Sequence, residues 1–269
     1  MLDVAGSLVL FNTPVSHVER VSGCFLNTSL AVHLYIINNS DYYDYDSIVA
    51  DSRVTYLKSS ANVGYGSANN IAMRKSLGKS KYHVVLNPDI RFNGGTLESM
   101  YSFMEESPTV AHLMPRIVFP NGQMQHLCKL LPSPFDLVAR RFLPSGGLQK
   151  MLSRRFELQN LNYAAVNDVP YLSGCFMFFR NDALKRVGLF DERFFMYPED
   201  IDITRRIHMM YRTVYFPGAT VIHEHAKASY RSLKMLFVHA SNIVKYFNKW
   251  GWFFDLERTR INRRISAQI

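Results

Sequence analysis

Three short apolar runs, each closed by polar turn residues, constrain this chain more than any other feature. Ser7-Leu8-Val9-Leu10-Phe11 ends at Asn12-Thr13-Pro14, Val32-His33-Leu34-Tyr35-Ile36-Ile37 at Asn38-Asn39-Ser40, and Tyr82-His83-Val84-Val85-Leu86 at Asn87-Pro88-Asp89. Continuous hydrophobic runs of this length read as parallel strands buried on both faces. Val54-Thr55-Tyr56-Leu57 adds a shorter one. Helical segments lie between them: Val15 to Leu30, weakened by Gly23 and Thr28, and a second through Met73 and Leu77. This alternation predicts an α/β fold with a mostly parallel central sheet flanked by helices. Ligands in such sheets bind beyond the carboxyl ends of the strands, so Asn12, Asn38 and Asp89 are expected along one rim.

Between the third and fourth strands lies Ala61-Asn62-Val63-Gly64-Tyr65-Gly66-Ser67-Ala68-Asn69-Asn70. Its small residues let a backbone approach a ligand closely, and a turn running into a helix N-terminus can hold polar or anionic groups. It lacks the full dinucleotide glycine pattern and the Gly-Lys-Ser/Thr of a Walker loop, and a structural turn fits it equally well. Beyond Asp89, Thr96 to Glu105 reads as a helix and Val110 to Phe119 as strand-like pieces. Residues 130–167 are irregular, with prolines at 132, 134 and 144 and four arginines, Arg140, Arg141, Arg154 and Arg155, and read as an insertion. Such a segment can shape a pocket.

Ser173-Gly174 leads into the apolar strand Cys175 to Phe179, and Asn181 to Val187 reads as a helix stopped by Gly188. Phe190-Asp191-Glu192-Arg193-Phe194-Phe195-Met196-Tyr197-Pro198-Glu199-Asp200-Ile201-Asp202-Ile203 follows. Proline with acids in the first turn predicts a helix start, here running to about Tyr211. Asp200 and Asp202, two apart, point about 200° from each other, so one of them at most faces a given site. Thr213-Val214-Tyr215-Phe216-Pro217 and Thr220-Val221-Ile222 read as strands, closed by His223-Glu224-His225. Alternate strand positions face opposite ways, so the two histidines do not share a metal, and His223 is the one expected beside Asp89. A lone surface histidine is the plain alternative.

The chain has 269 residues and a formal net charge of +9, with Arg258, Arg260, Arg263 and Arg264 late in the sequence. Such a balance suits a phosphorylated substrate, an anionic membrane surface or a nucleic acid. The arginines form no aromatic-basic stripe of a nucleic-acid reader, so no nucleic-acid partner is expected. Cys24, Cys128 and Cys175 are scattered and form neither a disulfide framework nor a thiolate site, which fits a cytoplasmic home. Neither a leader pattern over Met1 to Pro14 nor a bilayer-length apolar run is present. From Tyr230 to Phe254 the pattern is helical, followed by Trp250, Trp252, Phe253 and Phe254 and the arginine-rich end. Aromatics beside cations suit an interfacial segment, and packing on the domain or on a second subunit, giving a homodimer, is equally compatible.

Taken in order, Asn12-Thr13, Asn38-Asn39-Ser40, Asn62-Val63-Gly64-Tyr65-Gly66 with Asn69-Asn70, Leu86-Asn87-Pro88-Asp89, Ser173-Gly174 and Phe190-Asp191-Glu192-Arg193-Phe194-Phe195 with Glu199-Asp200-Ile201-Asp202 resemble the motif series of family 2 glycosyltransferases. The nearest likeness is to the rhamnosyltransferase-like branch that builds bacterial O-antigen, capsule and cell-wall polysaccharides. The resemblance implies a GT-A fold over residues 1–229, with a nucleotide-sugar half at 1–107, an acceptor and catalytic half at 108–229, and a helical basic and aromatic extension at 230–269. It implies inverting transfer without a covalent enzyme intermediate, Asp200 acting as general base. Asp89 matches the acid that holds Mg or Mn on the donor diphosphate. Asn87 stands where many relatives carry a first acid, so His223 is expected to assist. Asn38 stands where many relatives place an Asp on the base or ribose. Asn12, Asn62, Gly64, Asn70 and Glu199 complete the donor-binding set, Glu199 and Asp202 supporting the base, and Arg205 or Arg206 pairing with the acids or the phosphates.

The branch implies dTDP-L-rhamnose as donor and a polyprenyl-diphosphate-linked glycan as acceptor, which would place the enzyme at the inner face of the cytoplasmic membrane. UDP-galactofuranose and UDP-N-acetylglucosamine are alternative donors. A sugar nucleotidyltransferase on a similar sheet would release pyrophosphate, and a glycan-binding protein without catalysis would have no need of both Asp89 and Asp200.

Overall fold

The computed structural model describes residues 1–40, 45, 51–137, 146–224 and 233–268. Arg140, Arg141, His225, Tyr230 and all of the segment Asp41 to Ala50 except Tyr45 lie outside the described residues.

The expected sheet is present. β1 (Leu2–Leu10), β2 (Val32–Asn38), β3 (Val54–Lys58) and β4 (Ser80–Leu86) pair in parallel in the order β3-β2-β1-β4. Helices α1 (Val15–Leu26) and α2 (Tyr65–Ser76) make the crossovers around them. Every residue of β1 from Val4 onward is buried, as a strand covered on both faces must be. Leu10 pairs with Asn38 and Leu8 with Leu86, so the polar ends of these three strands come out on one side.

The second half keeps most of the pairing parallel and adds shorter antiparallel strands to it. β5 (Ile90–Arg91), α3 (Thr96–Glu106), β6 (Val110–Val118), β7 (Cys128–Lys129), α4 (Gly147–Phe156), β8 (Asn167–Asp168), β9 (Tyr171–Leu172) and β10 (Phe176–Arg180) follow. β10 runs antiparallel between β4 and β6 and reverses the sheet at its centre. Its Phe176, Met177, Phe178 and Phe179 are each fully buried. α5 (Asn181–Val187) and α6 (Pro198–His208) lead to β11 (Arg212–His223), one strand where two were expected, with a register shift between Phe216 and Thr220. Pro217 and Gly218 lie in that irregularity, where a missing ladder donor costs least. The result is a mixed nine-stranded sheet with a separate β7-β9 pair beside it.

The chain then forms α7 (Leu233–Trp250) and α8 (Leu256–Ser266). The arginine-rich end is thus a helix, capped by the Asp255 side chain on the Arg258 N–H. Both helices are pinned to α6. Arg205 of α6 makes a bidentate pair with Asp255, both bonds 2.7 Å and both side chains buried, and its guanidinium lies 4.0 Å over the Trp250 ring. Trp250 is therefore a packing residue. Among the described residues, no helix is long and apolar enough to cross a membrane.

Candidate active site

The rim at the ends of β1, β2 and β4 is a hydrogen-bonded shelf. The Asn12 N–H donates to Ser40 Oγ, and Ser40 N–H to Asn38 Oδ1. Asn12 sits at φ 50°, a left-handed conformation that Asn tolerates better than most residues. Asn38 is fully buried and donates to the Tyr56 hydroxyl at 2.8 Å, so it braces the shelf from within. Asn39 donates to Asn62 Oδ1, which also accepts from the Gly64 N–H at 3.1 Å. Asn12, Asn38 and Asn62 are thereby brought together.

Gly64 has a positive φ of 86°, and a Cβ there would lie 2.4 Å from the Phe195 carbonyl oxygen. The next N–H, of Tyr65, donates to that oxygen at 2.9 Å. The close approach anticipated for a ligand is thus occupied by the chain's own acidic loop. Asn70 does the same work from α2. Its amide donates to Phe190 O and Glu192 Oε1 and accepts from Phe190 N–H, which places it beneath that loop.

Asp200 lies in the first turn of α6, buried at 8% exposure. Its Oδ2 accepts from Gly174 N–H at 3.0 Å and from the Tyr171 hydroxyl at 3.4 Å, while Oδ1 accepts from Ile201 N–H at 2.8 Å. Burial raises its carboxyl to about 6, against the pull of the Lys129 cation and of these donors. Glu199 is held well above the usual carboxylate range by burial and then by the Asp200 charge, and its Oε2 is buried without a hydrogen-bond partner. The neighbours therefore differ: Asp200 titrates near 6, while burial and the Asp200 charge favour the protonated form of Glu199. Two adjacent carboxyls with divergent proton affinity are what acid–base work needs.

Asp89 and His223 meet, as the sequence suggested. His223 Nε2 lies 3.3 Å from Asp89 Oδ1. Gln125 decides the tautomer: its amide NH2 donates to the His223 carbonyl at 2.7 Å, so its Oε1 faces His223 Nδ1 at 3.0 Å and that nitrogen carries the proton. Nε2 is then the ring nitrogen that faces the Asp89 carboxylate. A separation of 3.3 Å is close to that of neighbouring ligands on one small divalent cation, about 3 Å for the bond lengths of Mg. Among the described residues no group of three or more His, Cys, Asp or Glu could hold a metal, so a cation here would take the remaining ligands from a diphosphate and water.

Gly174 and Cys175 join the two acids. Cys175 O accepts from Asn87 N–H at 3.1 Å, and the Tyr65 hydroxyl donates to both Asn87 Oδ1 and Gly174 O at 2.9 Å. The buried Cys175 thiol is pushed up to about 12 by burial and by the charges of Asp89 and Asp200, which both act on it. Tyr65, Gln125, Lys129 and Tyr171 were not singled out from the sequence. Each is an isolated residue on a different element, and only the fold brings them to the acids. Asp202 points the other way, to Arg206, Lys249 and Trp250. Arg205 and Arg206 thus pair with Asp255 and Asp202.

Known proteins share this architecture. A crystal structure of GalNAc-T7 with UDP, GalNAc and Mn2+ superposes with a TM-score of 0.56 at 14% identity, covering 83% of this chain and 43% of that one. A TarS structure from S. aureus gives 0.57 at 14% identity, covering 82% and 60%. This chain therefore spans less than two thirds of either, and the likeness is one of fold. In sequence, the chain is 27% identical over 254 residues to the N-acetylglucosaminyl-diphospho-decaprenol L-rhamnosyltransferase of Mycobacterium tuberculosis, covering 86% of this chain and 79% of that protein. It is 23% identical over 190 residues to the low-salt glycan biosynthesis hexosyltransferase Agl10 of Haloferax volcanii, covering 70% and 57%. The glycosyl transferase family 2 model matches residues 19–188, most of the chain and all of the shelf from Asn38 to Asp89, and the protein belongs to that family of GT-A-fold glycosyltransferases.

Proposed function

We propose that this chain is an inverting glycosyltransferase that moves L-rhamnose from dTDP-L-rhamnose to a hydroxyl of a polyprenyl-diphosphate-linked glycan, with Asp200 as general base. The observation that carries the proposal is that the Gly174-Cys175 bend bonds both to Asp200, through Gly174 N–H, and to the strand end that leads into Asp89, through Asn87 N–H. The donor class follows the family, and the rhamnosyl donor and lipid-linked acceptor follow the relative from M. tuberculosis.

In this reading the donor lies on the shelf of Asn12, Asn38 and Asn62, with its diphosphate toward Asp89. Asp89 and His223 hold Mg or Mn, which when bound neutralises charge on the departing diphosphate. The acceptor hydroxyl approaches from the Asp200 side. Gly174 N–H and Tyr171 OH fix Oδ2, and the ionised carboxylate takes the hydroxyl proton as the glycosidic bond forms. Attack opposite the leaving group inverts the anomeric centre. Burial and the Asp200 charge disfavour a second negative charge on Glu199 beside the base. Phe11, 53% exposed at the end of β1, offers a ring to the nucleotide base.

A panel of dTDP-L-rhamnose, UDP-galactofuranose and UDP-N-acetylglucosamine, with Mg or Mn and a synthetic lipid-diphosphate sugar, tests the proposal by mass spectrometry. Transfer of one deoxyhexose with release of dTDP is expected. Transfer from a UDP-sugar alone would overturn the donor, and release of pyrophosphate would replace transfer with nucleotidyl chemistry.

A further inference from the structure

The turn that joins α7 to α8 presents its largest apolar side chains to solvent. Phe253 is 77% exposed, Phe254 95% and Leu256 83%. Single exposed apolar residues are ordinary, but adjacent ones on a rigid turn are not. This turn is rigid: Gly251 takes φ 97°, and Asp255 is locked by Arg205 while it caps α8. Arg258 is buried and reaches the Trp252 and Phe253 carbonyls from below.

α8 continues the feature. At 100° per residue, Leu256, Arg260 and Arg263 fall on one stripe, opposite the buried Arg258, Ile261 and Ile265. Arg260 and Arg263 are exposed, and the acid set against them is Glu257, 3.3 Å from Arg260. At the far end of α8, Ser266 borders a cleft of about 710 Å³ lined from α4 by Lys150, Arg154 and Arg155. Leu148 and Met151 on α4 are 58% and 60% exposed beside those cations. Aromatic residues at one end and interleaved cations and aliphatics along the rest make an interfacial, not a solvated, surface.

We infer that the Gly251–Asp255 turn, the outward stripe of α8 and the exposed side of α4 form one face that seats the protein on an anionic phospholipid bilayer, Phe253, Phe254 and Leu256 entering the interfacial layer while Arg260 and Arg263 meet lipid phosphates. The charge selects this occupant. A two-fold dimer would lay the arginine stripe against itself, cation facing cation, whereas an anionic leaflet neutralises it. The consequence reaches the site, because Arg205 and Trp250 tie the turn to the helix that carries Asp200. Docking thereby holds the base at a fixed height above the leaflet from which a lipid-linked acceptor would rise. That last step rests on the proposed acceptor; the docking itself does not.

The test uses the full chain and reads no turnover. Wild type is floated on a density gradient with vesicles of phosphatidylcholine alone and of phosphatidylcholine mixed with phosphatidylglycerol. It should float with the mixed vesicles, remain behind with phosphatidylcholine alone, and lose binding as salt rises. F253S/F254S should lower vesicle affinity roughly tenfold or more, since two exposed rings lose their apolar burial, and R260E/R263E should abolish the preference for the anionic lipid. Both pairs are exposed, so circular dichroism and nucleotide-sugar binding serve as folding controls and should be unchanged. Wild type that stays down, floats equally on both lipids, or floats no better than F253S/F254S would overturn the inference. A wild-type dimer that F253S/F254S converts to monomer would assign the face to a second copy instead. Failure of flotation with sugar transfer intact would leave the catalytic reading standing.

Discussion

Asp200 and Asp202 leave one turn of α6 in opposite directions: Asp200 Oδ2 accepts from Gly174 N–H at 3.0 Å, and Asp202 Oδ1 accepts from Trp250 Nε1–H at 2.8 Å. Helical geometry alone requires the divergence. One carboxylate is left for the site, and the other anchors α7 to the helix that carries it. Buried between them, Ile201 and Ile203 hold α6 to the sheet, each worth about 1.5–3 kcal/mol of burial.

The pH dependence of the reaction should report Asp200. Its carboxyl is raised to about 6 by burial, so the base form accumulates as pH rises through that value. Below it, kcat/KM should fall about tenfold per pH unit. Lys129 is the cation that opposes the shift, so Lys129→Met should move this limb to higher pH and Lys129→Arg should restore it. The sign for stability is the reverse. A carboxyl whose folded value is raised contributes stability below its unfolded value of 3.8 and loses it as pH rises through about 6. A pH–rate profile of the three proteins and a denaturation series against pH check both.

Gln125 holds the Nδ1 side of the His223 ring, away from the Nε2 that faces Asp89. Gln125→Leu should raise the Mg or Mn concentration needed for half-maximal transfer by about 10–100-fold, with the sugar-nucleotide specificity unchanged. Metal titration of wild type and variant measures it; an unchanged metal requirement would remove His223 from the cation's ligands.

Gly64→Ala should destabilise the fold by about 1–3 kcal/mol, because it combines a positive φ with a Cβ placed 2.4 Å from Phe195 O. The Tyr65 N–H bond to Phe195 should open with it, loosening the acidic loop. Urea unfolding gives the energy, and hydrogen exchange at Tyr65 gives the location.

Arg205→Met should cost about 3–5 kcal/mol, since it strips the buried Asp255 carboxylate of its bidentate partner and leaves it only the Arg258 N–H and the Arg258 guanidinium at 3.9 Å. Arg205→Met with Asp255→Asn should recover part of that loss, the amide retaining a cap on α8. Denaturant midpoints of the single and double variants decide it.

Much of this was legible in the sequence, and for physical reasons. Buried strands must be apolar and must end in polar turns, so the Asn12, Asn38 and Asp89 rim could be read directly. The Pro198-Glu199-Asp200 helix start marked the acid, and the period of the helix separated Asp200 from Asp202. The reversal of β10 was not visible, because a fully buried strand has the same composition in either direction. α8 falls within the helical extension expected over 230–269, and Asp255 as a cap with Ile261 and Ile265 at helical spacing marks where it starts and which side it buries. The partners of the acids, Tyr171, Lys129 and Gln125, carry no local pattern at all. Asn70 and Gly64 were matched to the donor by motif, while their side-chain space and hydrogen bonds are taken up by Phe190, Glu192 and Phe195.

The most direct test of the account is sugar transfer by wild type and Asp200→Asn under one set of conditions, with donor binding measured beside it and the anomeric configuration of the product read by NMR. The account predicts an inverted product from wild type, donor affinity retained in the variant, and transfer reduced by about 10²–10⁴-fold. Transfer by Asp200→Asn at the wild-type rate, or a product that retains the donor's configuration, would contradict it.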